Sequence, residues 1–135
     1  MSSTGTGPER RVIRTPDAPA PVGAYSQGIL ADGWLWCAGQ LPLDPASGEL
    51  RQASPEEAAE RCLANLAAVA AAAGGSLADA VRLTVYLTNL AEFGAVDAVF
   101  ARRFPEKPPA RAVVEVQGLP KGARMEIDLV ARIGK

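Results

Sequence analysis

Histidine is absent from the 135-residue chain. That removes the commonest general base, the partner of Ser/His and Cys/His nucleophile pairs, and the commonest metal ligand. Chemistry here must run on carboxylate, guanidinium, phenol, backbone and water. The groups best placed for it lie near the C-terminus, with Arg111 and Glu115 in one apolar run and Glu126 and Asp128 in the next. A strand-borne Arg presents a planar fork that matches a carboxylate, each charge-assisted hydrogen bond contributing about 1.5–3 kcal/mol. The competing use of Arg111 is a structural ion pair with Glu115 or Glu126. Glu126 can act as a base or hold a water if partial burial raises its pKa and Arg111 leaves it unneutralised; otherwise it is a plain salt-bridge partner. Glu115 and Asp128 are left mostly to structure. Tyr25, between Gly23 and Gly28, is placed either to donate a hydrogen bond to a ligand or to seal an interface with its ring. Gly39 follows an apolar run and precedes Pro42, a place for close backbone approach to a ligand or for a bulge.

The elements that must position these groups can be read along the chain. Arg11–Arg14 suits a short strand, and Pro16, Pro19 and Pro21 then force extended or turn backbone up to Gly23. Ser26–Leu30 and Trp34–Ala38 read as a hairpin closed by Ala31-Asp32-Gly33. Ser54-Pro55-Glu56-Glu57 has the hydroxyl, proline and glutamate of a helix start, and Gly74-Gly75 its stop. Between them Ala59, Cys62, Leu63, Leu66, Val69, Ala70 and Ala73 form one apolar stripe. Ala80–Leu87 reads as a strand; Asn89 and Glu92 predict a capping box for a second helix that turns Phe93, Val96, Phe100 and Phe104 inward and ends at Pro105. Ala110–Val116 and Arg124–Ile133 read as a closing strand pair joined by a turn at Leu119–Gly122. Alternation predicts that Ala112, Val114, Val116, Met125, Ile127, Leu129 and Ala131 face the helices. Arg111, Val113, Glu115, Glu126, Asp128 and Val130 then share the other face, whose mixture of charge and aliphatic surface suits a subunit interface with a polar cleft. Two helices on one side of a mixed sheet make the fold class α+β.

Composition sets the bounds. The length fits one domain over residues 9–135 behind a loose tail, residues 1–8, which has no apolar segment of a signal peptide. Fourteen Lys and Arg against fifteen Asp and Glu leave a net charge of −1, so no long-range field draws nucleic acid or anionic membrane. The longest strongly apolar stretch, Leu66–Ala73, is far short of the ~20 residues that cross a bilayer, and a cytoplasmic protein is expected. Cys37 and Cys62 sit in apolar segments and read as reduced, buried thiols.

The motifs, taken together and in order, resemble one family. They are Gly23-Ala24-Tyr25-Ser26-Gln27-Gly28, Ala38-Gly39-Gln40-Leu41-Pro42, Pro109-Ala110-Arg111, Val114-Glu115-Val116, Leu119-Pro120 and Glu126-Ile127-Asp128. Over about Pro19–Ala131 the chain is similar to the RidA/YjgF reactive-intermediate deaminases. The resemblance implies a chorismate-mutase-like fold with a six-stranded sheet, and a homotrimer closing a central barrel with active sites in the clefts between subunits. It also implies a cofactor- and metal-free hydrolysis of 2-enamine or 2-imine acids to 2-keto acids and ammonia. Arg111 would anchor the substrate carboxylate, Glu126 orient the attacking water, and Tyr25 and the Gly39 backbone contact the substrate. Where many members carry Ser and Cys, this chain has Ala38 and Val113, which makes the binding site more apolar and removes any thiol chemistry. Other readings remain open: a pathway-specific deaminase of another amino-unsaturated acid such as an aminomuconate or 3-aminoacrylate, a non-catalytic module that holds a small carboxylate, and RNA cleavage. The acidic balance and the lack of His argue against the last.

Overall fold

The computed structural model describes residues 9–134, so the expected tail at residues 1–8 lies outside the described residues. Its elements are β1 (Arg10–Ile13), β2 (Gly28–Ala31), β3 (Trp34–Gln40), α1 (Pro55–Ala72), β4 (Ala80–Leu87), α2 (Phe93–Arg103), β5 (Ala110–Glu115) and β6 (Met125–Arg132). Local signals act as expected where the chain's neighbours in sequence are its neighbours in space. Asp32 at φ 59° and Gly33 at φ 81° turn the β2–β3 hairpin. Ser54 Oγ accepts from the Glu57 amide at 3.0 Å to start α1. At its far end Gly74, at φ 93°, reverses the chain while the Gly74 and Gly75 amides donate to the Ala71 and Ala70 carbonyls. The capping box expected for α2 is replaced by a 3-10 turn, Leu90–Glu92, in which Asn89 accepts from Ala91. Glu92 is drawn off to an ion pair with Arg124 at 2.6 Å.

The strands form one mixed sheet in the order β1-β2-β3-β6-β4-β5. Both helices cover one face, α1 against β3 and β6, α2 against α1, over a core that includes Leu35, Leu63, Leu66, Leu83, Val85, Ile127 and Leu129. The expected closing hairpin is not formed. β5 runs parallel to β4 at the sheet edge, while β6 inserts antiparallel between β3 and β4. The cause is the connection: α2 carries the chain back to the start of β4, so β5 can only pair in parallel.

This topology inverts the predicted facing of β5 and leaves that of β6 intact. Arg111, Val113 and Glu115 pair with Leu83, Val85 and Leu87, which are fully buried beneath the helices. Arg111 and Val113 therefore stand on the helix side, and Ala112 and Val114 on the open side. On β6, Met125, Ile127, Leu129 and Ala131 are buried, and Glu126, Asp128 and Val130 point to the open face. That open face leaves Val12, Trp34, Trp36 and Val114 exposed.

Candidate functional site: two half-sites on opposite faces

The first half-site is built on an irregularity in β3. Cys37 pairs with Leu129 and Gln40 with Ile127, so Ala38 and Gly39 together oppose Asp128 in a bulge. The bulge brings bare Gly39 against Glu126: a Cβ built on Gly39 would stand 2.2 Å from Oε2. Of the two expected uses of Gly39 the bulge is formed, and the group its bare backbone approaches is the Glu126 carboxylate. Glu126 is half-buried, and burial, followed by the nearby charge of Asp128, raises its pKa above the ordinary glutamate value. Asp128 is itself engaged by the Tyr86 hydroxyl, which donates at 3.0 Å. The tyrosine's own pKa is raised by burial and then by that carboxylate.

Glu126, Gly39, Ala38 and Tyr25 line one cleft of about 510 Å³. Its remaining walls are mostly apolar, Val22, Leu41 and Leu43 among them, with Lys121 at φ 61° at the mouth. Tyr25 is 51% exposed, and its hydroxyl oxygen accepts from the Val22 amide at 3.4 Å, which leaves its proton available to a ligand.

Two buried amides hold the cleft's loops. Gln27 accepts from Thr15 and donates to the carbonyls of Thr15, Ala18 and Pro19. Asn65, fully buried on α1, donates to the carbonyls of Leu41 and Leu43 at 3.1 and 2.9 Å. A buried Asn on an apolar helical stripe was a signal available in the sequence, because such a group must find partners.

The second half-site is on the other face. Arg111 donates from Nη1 to Asp97 Oδ1 at 2.9 Å, and its guanidinium carbon lies 5.1 Å from the ring centres of both Phe93 and Phe100. Cation and rings attract, and the pair of phenylalanines fixes the plane of the fork. Arg111, Asp97 and Phe100 line a second cleft of about 440 Å³. Neither expected partner is used: Glu115 accepts from the Leu90 amide at 2.8 Å, and Glu126 is across the sheet. Phe93 is not core; 39% exposed, it covers Arg111. Val113 stands on the same side as Arg111 but packs on the core.

Sequence reading therefore named Arg111, Glu126, Tyr25, Gly39, Ala38 and Val113, and the structure gathers Glu126, Tyr25, Gly39 and Ala38 into one place and sets Arg111 and Val113 in another. It missed Asp97. The available signal was a carboxylate four residues after Phe93 and three before Phe100, on the shoulder of the aromatic stripe. Both thiols are buried, and burial pushes the Cys37 pKa up to about 12 and that of Cys62 up as well, so neither is a nucleophile.

The fold and clefts define a class: a single-sheet α+β protein that carries an aromatic-clamped arginine and a partly desolvated carboxylate on opposite faces. A family model described as Endoribonuclease L-PSP matches residues 15–133. A RutC family protein of Sinorhizobium fredii is 49% identical over 118 residues, 87% of this chain and 94% of that one. The 2-iminobutanoate/2-iminopropanoate deaminase of Capra hircus is 42% identical over 122 residues, covering 90% of this chain and 89% of the relative. Among solved structures, RidA from an Antarctic Psychrobacter superposes with a TM-score of 0.88 at 41% identity, over 91% of this chain and 99% of that one. E. coli TdcF with bound serine gives 0.85 at 33% identity, over 90% and 98%. The chain belongs to the RidA/YjgF family. No helix among the described residues is long and apolar enough to cross a membrane.

Proposed function

We propose that this protein is a hydrolytic deaminase of 2-enamine and 2-imine acids whose active site is completed between copies of the chain, in a homotrimer. The observation that carries the reading is the separation of Arg111 and Glu126 onto opposite faces of one sheet. Neither can serve the other's ligand within one subunit, yet each borders its own cleft. Packing the exposed Trp34, Trp36 and Val114 surface of one copy against another would bring the edge-strand arginine of one to the carboxylate of its neighbour. Closure of three such sheets gives the central barrel. The deaminase relatives support the reaction class.

In the reaction, the enamine first tautomerises to the imine. The carboxylate of the imine docks on the fork of Arg111, pre-set by Phe93 and Phe100. Glu126 holds a water, takes one of its protons as the oxygen bonds to C2, and passes that proton to the imine nitrogen. The resulting carbinolamine loses ammonia as the C–N bond breaks and its hydroxyl proton passes, by way of Glu126, to the leaving nitrogen, and a 2-keto acid remains. Burial of Glu126 keeps its proton affinity high enough for this step. Tyr25 donates to the substrate, and Ala38, with Val22 and Leu41, leaves an apolar wall for its side chain. Such imines hydrolyse unaided, so positioning and modest proton transfer suffice without a metal or organic cofactor.

The test is 2-keto acid formation from 2-aminobutenoate generated in situ. Wild type should accelerate it, while Arg111→Ala, Arg111→Lys and Glu126→Gln should not. Co-assembled Arg111→Ala and Glu126→Gln chains should recover roughly a quarter of wild-type activity, because random mixing leaves about one interface in four with both groups intact. No recovery would reject the shared site; a wild-type rate equal to buffer would reject the reaction.

A further inference from the structure

The guanidinium of Arg111 is not an unopposed positive charge. Asp97 holds Nη1 through Oδ1 at 2.9 Å, and the two side chains are 57% and 23% exposed, Asp97 the more open. Both border the same cleft. As a structural device the pair contributes little. Its acid lies mostly in water, where ion pairs are weak, and Phe93 and Phe100 already grip the guanidinium from α2. As part of a simple carboxylate anchor, Asp97 is a liability, since it repels the anion that Arg111 attracts and occupies one edge of the fork. An acid and a base side by side in a cleft instead match a ligand that carries both charges on adjacent atoms.

We propose that Asp97 reads the protonated nitrogen of the substrate, so that the Arg111–Asp97 pair selects a zwitterionic 2-iminium carboxylate over a plain carboxylate. This rests on the function proposed above and adds a specificity-determining residue to it. With the ligand carboxylate on the remaining edge of the fork, Nη2 and Nε, the nitrogen on the neighbouring carbon lies within reach of the exposed Asp97 carboxylate. The protonated imine is the more electrophilic form towards water, and the acid favours it in the ground state and during attack. Once ammonia has left, the 2-keto acid carries only the anion, which Asp97 repels, so the same residue speeds product release. Discrimination between substrate and product thus comes from one charge beside the anchor.

The experiment measures affinity of the intact protein for two stable ligands, by calorimetry at pH 7.5. 2-Aminobutyrate has the carboxylate with a neighbouring cation, and 2-ketobutyrate the carboxylate alone. Wild type should favour 2-aminobutyrate. Asp97→Asn should shrink that preference by about three- to fivefold, the effect of one partly exposed charge pair, with 2-ketobutyrate binding equal or tighter. Asp97→Ser should do the same where the asparagine amide still bonds to Arg111, and both should melt close to wild type. A preference unchanged within about twofold in both variants would overturn the assignment of Asp97 and leave the anchor standing. If Arg111→Ala leaves both affinities untouched, the anchor reading fails, and the role of Asp97 with it. A structural role alone would weaken both ligands equally and would likewise overturn the proposal.

Discussion

Replacing Gly39 by alanine tests the geometry of the carboxylate half-site at a single atom. The new Cβ would stand 2.2 Å from Glu126 Oε2, 2.8 Å from its Cδ and 3.0 Å from its Cγ. The backbone of Gly39 is not in the left-handed region, so alanine is free to adopt it, and the clash is with the far end of a flexible, half-buried side chain rather than with backbone. The fold should therefore yield by moving Glu126, and ordinary contact requires its carboxylate to retreat by about 1 Å. Stability should change by less than ~1 kcal/mol, whereas misplacing a catalytic group by that distance costs on the order of 10²-fold in rate. The assay is the initial rate of 2-keto acid formation, run beside thermal melting of the same preparations. In the Gly39→Ala, Glu126→Gln double variant the two losses should not add, because the glycine acts only through the carboxylate. Wild-type kcat/KM in Gly39→Ala, or full additivity in the double variant, would refute the argument.

Glu126→Gln should lower the rate by at least ~10²-fold and yet melt higher than wild type at neutral pH. Burial, then Asp128, raises the folded pKa of Glu126 above the ordinary 4.5; the ionised form thus costs stability that is fully felt above the raised pKa, and the gap between variant and wild type should close as pH falls through and below 4.5 in melting curves. Cys37, with its pKa pushed up to about 12, and the still more deeply buried Cys62 should resist a chromogenic disulfide reagent at pH 8 in the native protein, both reacting once it is unfolded. Asn65→Ala strips the donors from the Leu41 and Leu43 carbonyls and should cost about 1–3 kcal/mol in urea unfolding, with a raised KM because those residues wall the cleft.

The helix start at Ser54-Pro55, its Gly74 stop and the Asp32-Gly33 hairpin were legible because each is decided within a few residues by capping or by positive φ. The partner of β5 was not. Ala110–Glu115 and Met125–Arg132 look like a hairpin from sequence, since a short turn separates them and both alternate. What decides the pairing is that β6 inserts between β3 and β4 to complete the buried middle of the sheet and leaves β5 at the edge beside β4, a choice made by long-range contacts. One misplaced partner moved Arg111 to the wrong face. The residue types of the site were still legible, because a chain without His has few alternatives, but Asp97 was hidden: on a helix surface an acid reads as solvated unless the arginine that meets it, fourteen residues on, is known to be there.

The separation of charge across the sheet would let a site so poor in titratable groups keep Glu126 as a usable base in the proposed reaction. Were Arg111 beside Glu126 in the same subunit, an ion pair at hydrogen-bond distance would stabilise the carboxylate and hold its pKa down, leaving a weak base. Here the carboxylate faces Gly39, an apolar wall and the like charge of Asp128, all of which push its proton affinity up, and the arginine's charge is met by Asp97 on the far side. In the proposed assembly the two would meet only through the interface between copies and with a ligand's carboxylate between them, which would absorb the arginine's charge. On that proposal an isolated chain would retain both clefts and lack a complete site, so activity should fall with dilution along the dissociation curve of the assembly rather than with unfolding. A rate per chain that stays constant while light scattering reports dissociation would contradict this division of labour.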